Sequence, residues 1–428
     1  MSSAASLLAL QLVSRLTTFG LNSALVRLTS AEAFGTVAIQ LDLLLNTILF
    51  FSREGVRGAC LRAPRPTGEN AQAEHVRRMR RTALVALWVG VPMTILGCLL
   101  FARTATVEAS SQPGFGLAIV LYGLGALTGL LAEPSFVDSQ VSGRGHRRVA
   151  SEGTAVTVKA LVTLGAVLAV SNPLVAFGLG HVAYSLTNVV RYRWAERDDE
   201  RSASGATEMD RPTLWMAWTL TKQSIVKQVL TEGDKLIVAR VCPLTDQGGY
   251  AVALNYGSLL ARTIFQPIEE SSRLFFGQAS TSSDAVAASS SRLATLLHGH
   301  LLLALPFLTV APAYVGRAMA LVLSGSRWTP AGRIAATDAL RAYCYYVPIL
   351  GLNGVLEAFV QAVGSEAELG TLSSVFVLCS GVYALALFVL ARGIAPSPSA
   401  LVYAGAISMS VRLLWNARFA RRWLAERG

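Results

Sequence analysis

The chain has little charge for its length. Of 428 residues only 15% are Asp, Glu, Lys or Arg, against about 25% in soluble domains. Lysine is scarcer still: Lys159, Lys222, Lys227 and Lys235 stand alone among 37 basic residues. The cysteines, Cys60, Cys98, Cys242, Cys344 and Cys379, are odd in number, scattered, and mostly set in apolar runs. No C-x-x-C pair and no Cys/His cluster occurs, which argues against a disulfide framework or a metal centre. A P-loop, a nucleophile elbow and a paired-histidine zinc motif are all missing, so an enzyme reading has no motif behind it and no cofactor is implied. Long polar stretches are nearly missing too. Arg191 to Arg211 is the only extended hydrophilic segment, with mixed charge, serine and no apolar period, as in a mobile loop.

What fills the chain is apolar. Hydrophobic residues make up 53%, and the mean hydropathy is +0.48. The net charge of +11 could suit nucleic acid. Its arginines instead sit in short gaps between apolar runs, as the positive-inside rule expects of a membrane protein; no nucleic-acid partner is implied. Runs of about 17–25 residues, long enough to cross the hydrocarbon core, lie near 6–25, 34–51, 82–101, 115–137, 149–170 and 174–190. Six more lie near 214–239, 250–268, 293–315, 340–363, 369–391 and 400–415. The first has no basic leader and no small-residue cleavage site, so it is expected to be a retained helix. Ala279 to Ser291, rich in serine and alanine, is expected to be flexible.

The expected fold is all-α: a polytopic membrane protein of about twelve transmembrane helices. Residues 1–190 form one six-helix bundle, 191–213 a cytosolic linker, and 214–428 a second six-helix bundle with a basic tail. Even-numbered gaps and the tail hold about three times the arginines of odd-numbered gaps, which places both termini in the cytosol. Arg317, Arg327 and Arg333 in the ninth gap run against that bias. The halves look like copies. VRLTSAEAFG precedes the second run and ARVCPLTDQGG the eighth. SREGVR and IEESSR close those two runs, and Glu133 and Glu357 close the fourth and tenth. Six spans per copy is an even number, so both copies share one orientation, a parallel repeat about the membrane normal.

Charges inside apolar runs cost about 2.5–3.5 kcal/mol each, even on a lenient scale, and mark functional sites by default. They concentrate between Lys222 and Arg273. Arg15, Lys159, Lys222, Lys227, Arg262 and Gln266 are candidates for a cavity that binds an anion. Asp42, Arg53, Glu54, Glu133, Glu232, Asp234, Lys235, Glu269, Glu270, Arg273 and Glu357 are candidate structural or coupling charges. Opposite charges on neighbouring helices could equally neutralise one another and fix packing. His181 reads as a packed or hydrogen-bonding histidine before a proton relay. Arg262, Gln266, Glu269 and Arg273 recur every three or four residues, one stripe on a helix. Pro267 is expected to kink it.

The strings KQSIVKQVLTEGDK, GGYAVALNYGSLLAR, FQPIEESSRLFF, RLTTFGLNSALVRL, FFSREGVRGACLR and LLAEPSFVDSQ together resemble the eukaryotic Rft family, of the multidrug/oligosaccharidyl-lipid/polysaccharide exporter superfamily. The resemblance covers nearly the whole chain. It implies a multi-pass protein of the endoplasmic reticulum membrane acting in N-glycosylation. The implied partner is a dolichol-diphosphate oligosaccharide of five mannoses and two N-acetylglucosamines, moved from the cytosolic to the lumenal leaflet. Membrane lipid and the glycosylation machinery are the other implied partners. Family members usually have a further pair of C-terminal helices, whereas the runs here end at twelve. Two readings follow: the chain flips the lipid, or it is a non-transporting factor that binds or channels it. A drug/cation antiporter of the same superfamily would need a cavity dominated by carboxylates. Here basic residues are at least as many.

Overall fold

The computed structural model describes residues 19–64, 66, 68–170, 172–196, 209–278, 283–394 and 397–427. Among these, every regular element is helical. They fall into two compact units, Met1–Arg240 and Val241–Gly428.

In the first unit, α1 spans Ala31–Arg62. Ser30 caps it, its hydroxyl accepting the Ala33 N–H at 3.2 Å. The helix widens to a π-helical turn over Thr36–Leu41 before continuing from Asp42. Thereafter come α2 (Glu69–Ala83), α3 (Val85–Thr104), α4 (Phe115–Leu130), α5 (Glu133–Val141), α6 (Gly145–Ala169), α7 (Pro173–Glu196) and α8 (Arg211–Val241). Neighbouring helices meet across small residues, which let backbones approach. A methyl group added at Gly180 would lie 1.9 Å from Thr163 of α6, and one at Gly125 would touch His181 of α7. Asp210 fixes the entry to α8: its carboxylate accepts the Thr213 N–H at 3.0 Å, and its own N–H donates to Thr82 at 3.1 Å.

In the second unit, α9 is Leu244–Leu260, followed by a π-helical turn over Ala261–Phe265. Then come α10 (Gln266–Gln278), α11 (Ser283–Thr309), α12 (Ala311–Val322), α13 (Pro330–Val363), α14 (Glu366–Ile394) and α15 (Pro398–Arg427). Helix α13 is the spine; α9, α10, α11, α12 and α15 all pack on it. Phe359 anchors the aromatic core, edge-on to Phe276 at 5.1 Å and to Trp423 at 5.3 Å.

Eight of the described helical stretches are long and apolar enough to cross a membrane. Their outer faces expose Trp88, Leu168, Leu302 and Leu385, each more than 60% accessible. Apolar surface of this kind would make a water-soluble protein aggregate; lipid covers it here, and the chain is a polytopic all-helical membrane protein. The seventh, eighth and twelfth expected spans are helical as well, in α8, in α9 through the wide turn into α10, and in α15; the seventh carries five charged residues. Residues 1–18, most of the first expected span, lie outside the described residues.

Two expected gaps prove helical. Arg53 and Arg57 ride on the last turns of α1, and Arg77 to Arg81 belong to α2. The reason is length: 32 residues at about 1.5 Å each overshoot a hydrocarbon core of about 30 Å, so the helix continues into the polar zone. Likewise residues 283–291, expected to be flexible, form the first turns of α11, since alanine and serine without glycine or proline tolerate a helix.

The α9–α13 contact gives a direct test. A Cβ on Gly257 would meet the ring of Tyr343, a buried side chain, at 2.1 Å. Gly257→Val should therefore destabilise the protein by about 1–3 kcal/mol, read as a lower melting temperature in detergent. Gly381→Ala, with nothing within 4 Å, should leave the melt unchanged.

Candidate functional site

The first unit brings together charges from helices distant in sequence. Asp42 follows the wide turn of α1 directly, and such turns often occur at functional positions. Its Oδ1 lies 3.3 Å from His181 Nε2 on α7. The same ring nitrogen is 3.0 Å from Lys159 Nζ on α6. Tyr122 of α4 covers the imidazole, ring to ring at 4.5 Å. His181 is 9% exposed at its side chain and Asp42 37%, so the imidazole is the closed end of the site and the carboxylate reaches open space. Lys235 of α8 also acts on Asp42 electrostatically.

One nitrogen cannot serve both neighbours in the same way. If the Lys159 ammonium donates to Nε2, that nitrogen is an acceptor and has no proton for Asp42. If Nε2 carries the proton, it donates to Asp42 and the ammonium must find another acceptor. The cluster thus has two hydrogen-bonding arrangements. An anion accepting from Lys159 favours the second.

A second cluster lies at the far end of α1. Glu133, at the start of α5 and 2% exposed, accepts from Arg57 Nε at 2.6 Å, Arg57 Nη2 at 2.5 Å and Arg53 Nη1 at 3.1 Å. The Arg57 guanidinium also lies over the Phe136 ring at 3.8 Å. The second unit repeats the device with another donor. Glu357 of α13 pairs with Arg412 of α15 and accepts from Asn353 at 3.1 Å and Gln361 at 2.9 Å. The Arg412 guanidinium covers Phe376 at 4.0 Å, and Asn416 donates to Asn353 at 3.0 Å. Each unit therefore ties a carboxylate to an arginine stacked on phenylalanine. These are packing clasps. Phe136 and Phe376 carry no signal in the sequence, and Arg412 carries only that of a lone arginine in an apolar run.

The remaining candidates spread out. Glu232 pairs with Lys235 at 2.8 Å and receives a hydrogen bond from Asn46 of α1 at 3.4 Å. Glu54 is half-buried on α1. Glu269 lies against Gly354 of α13, under the fields of Glu357, Arg273 and Arg412. Gln266 donates to Glu270 at 3.1 Å, both exposed; Arg273 is exposed. Lys222 is exposed too and sits over the Trp218 ring at 5.5 Å. Arg15 lies outside the described residues, and so do the side chains of Lys227, Asp234 and Arg262. The expected stripe from Arg262 to Arg273 starts in the wide turn Ala261–Phe265, where straight-helix spacing does not hold. Among the described residues no group of His, Cys, Asp and Glu could hold a metal ion.

A family model described as Rft protein matches residues 1–427. Curated relatives match nearly the whole chain. The Man(5)GlcNAc(2)-PP-dolichol translocation protein RFT1 of Yarrowia lipolytica is 30% identical over 96% of this chain and 68% of its own length. Its namesake in Saccharomyces cerevisiae is 29% identical over 97% and 81%, and that of Mus musculus 29% over 99% and 82%. Among solved structures, an inward-facing multidrug resistance MATE family transporter of the MOP superfamily matches with a TM-score of 0.71 at 9% identity, covering 97% of this chain and 98% of that one. The lipid II flippase MurJ in an inward closed conformation gives 0.63 at 12%, covering 96% and 86%. These likenesses show the fold.

Proposed function

The chain belongs to the Rft protein family, and we propose that it moves a dolichol-diphosphate-linked heptasaccharide, of five mannoses and two N-acetylglucosamines, across the endoplasmic reticulum membrane for protein N-glycosylation. The observation that carries this reading is whole-length similarity to proteins named for that translocation, including 30% identity to the Yarrowia lipolytica relative over 96% of the chain. It is a transport protein, not an enzyme. We further propose twelve transmembrane helices in two six-helix halves, residues 1–190 and 214–428, joined by a cytosolic 191–213, with both termini cytosolic.

In this reading Lys159 is the anchor for the diphosphate. A lysine ammonium has three donors. In the empty state His181 accepts one; on loading the ammonium turns to phosphate oxygens, which accept strongly. Asp42 is its internal competitor: the carboxylate balances the ammonium in the empty state and yields to the diphosphate on loading. The clasp on Glu133 ties α1 to α5 within the same unit.

The test is reconstitution. Purified chain in vesicles containing a traceable dolichol-diphosphate oligosaccharide should make the inner-leaflet pool accessible to an external lectin or glycosidase well above protein-free vesicles. Vesicles that bind the lipid but leave half of it inaccessible would make the chain an accessory factor of N-glycosylation instead. Protease added to intact microsomes should cut within Arg191 to Arg211; full protection would invert the proposed orientation.

A further inference from the structure

A cavity of about 460 Å³ opens in the second unit, one helical turn beyond the Arg412 clasp. It lies between the first turn of α14 and the last turns of α15, lined by Glu368, Thr371, Trp415, Arg418, Phe419 and Arg422. The α15 residues belong to one face, since 415, 418, 419 and 422 are separated by three or four positions. Trp415 and Phe419 stack with centroids 5.9 Å apart, forming an aromatic floor. Arg418 and Arg422 stand one turn apart above it, both exposed. Among the described residues Arg418 has no ion-pair partner, and that of Arg422 is Glu426 at 3.9 Å, the edge of reach. The acid that shares the cavity feels the charges of Arg422 and Arg427, but its hydrogen bonds go elsewhere. Glu368 accepts the N–H and the hydroxyl of Ser365, each at 2.8 Å, and Ser365 in turn accepts the Glu368 N–H at 3.4 Å. This capping box closes the start of α14.

Two guanidiniums one turn apart repel each other unless an anion bridges them. Arginine presents a planar fork that matches phosphate oxygens. Position decides which phosphate. Ala367–Leu390 is apolar enough to cross the membrane, so its first turn lies at headgroup depth. A tryptophan at that depth is the usual anchor at the membrane–water boundary. Basic pockets between membrane helices at this level bind lipid headgroups.

We propose that this cavity binds the phosphate of an anionic bilayer phospholipid, with Arg418 and Arg422 clamping the phosphate and the Trp415–Phe419 stack bearing on the glycerol and upper acyl chain. This site is separate from the Asp42–Lys159–His181 cluster and does not depend on the transport reading. The bound lipid would fasten the end of α15 to the start of α14 at the membrane surface.

The experiment is native mass spectrometry of the full chain released from nanodiscs of phosphatidylcholine doped with phosphatidylinositol. The wild-type protein should retain phosphatidylinositol, and Arg418→Ala/Arg422→Ala should lower its occupancy by about tenfold or more, as expected for losing two charge-assisted contacts. Arg418→Lys/Arg422→Lys keeps the charge but loses the fork, and should fall between the two. Arg421→Ala/Arg427→Ala removes as much charge from the same helix end at residues that do not line the cavity, Arg427 reaching Glu368 only through its field, and should stay within about twofold of wild type. Equal loss in both alanine pairs would overturn the proposal in favour of unspecific charge attraction. Full retention by the cavity pair would overturn it outright. Displacement by millimolar inorganic pyrophosphate would make the site one for free phosphate, and displacement by an equimolar polyprenyl diphosphate would make it a substrate contact; either sinks the phospholipid assignment.

Discussion

Glu133→Ala should be the most damaging single substitution for stability. It leaves the Arg53 and Arg57 guanidiniums, 28% and 23% exposed, without the carboxylate that takes three of their hydrogen bonds. Removing one partner of a buried ion pair costs about 3–5 kcal/mol, mostly from the charge left behind. The melting temperature in detergent should drop sharply and the amount of protein in the membrane should fall several-fold. Removing all the charges together separates clasp from function: Arg53→Met/Arg57→Met/Glu133→Leu should recover most of the lost stability, because a well-packed apolar cluster of similar volume can replace a buried pair. A melt unchanged by Glu133→Ala would show that the clasp carries no stability.

Lys159→Met should have the largest effect on transport. The change keeps the length of the side chain and removes the ammonium, while His181 retains Asp42 as a partner. A charge-assisted hydrogen bond is worth about 1.5–3 kcal/mol, so movement of the diphosphate-linked substrate in vesicles should fall about ten- to a hundredfold with little change in expression. Asp42→Asn should separate binding from release: without the competing carboxylate, Lys159 should hold a diphosphate more tightly and turnover should slow. If Lys159→Met vesicles transport at the wild-type rate, the ammonium serves packing alone.

Much of this organisation was legible from the chain alone. Apolar length and arginine placement gave a helical membrane protein, and the quoted strings pointed to the family whose model matches residues 1–427. Matched positions in the two halves singled out Glu133 and Glu357, and both do close against arginine. The partner of Glu357 was not legible. Arg412 lies 55 residues away on the last helix, and the matched span ends name no partner for Glu357. Pairing across helices depends on which faces meet, and one-dimensional spacing carries no such information. The same limit hid the meeting of Asp42, Lys159 and His181. Each is a lone polar residue in its own apolar run, and only the packing of α6 and α7 against each other and near α1 joins them. Gln266, Glu269 and Arg273 keep their helical spacing within α10, while the wide turn Ala261–Phe265 before it is a feature that a period of 3.6 does not anticipate.

The cysteines have a practical consequence. None is bonded to another; Cys60, Cys242, Cys344 and Cys379 are buried, and Cys98 is partly shielded. Buried thiols react slowly with polar maleimides, so the native chain should present a nearly silent background. A cysteine introduced at Ser142, in the turn between α5 and α6, and another at Ser111, ahead of α4, would then report through an impermeant reagent which end of that span faces which compartment. The protein can be mapped in sealed membranes without first stripping its own sulfur.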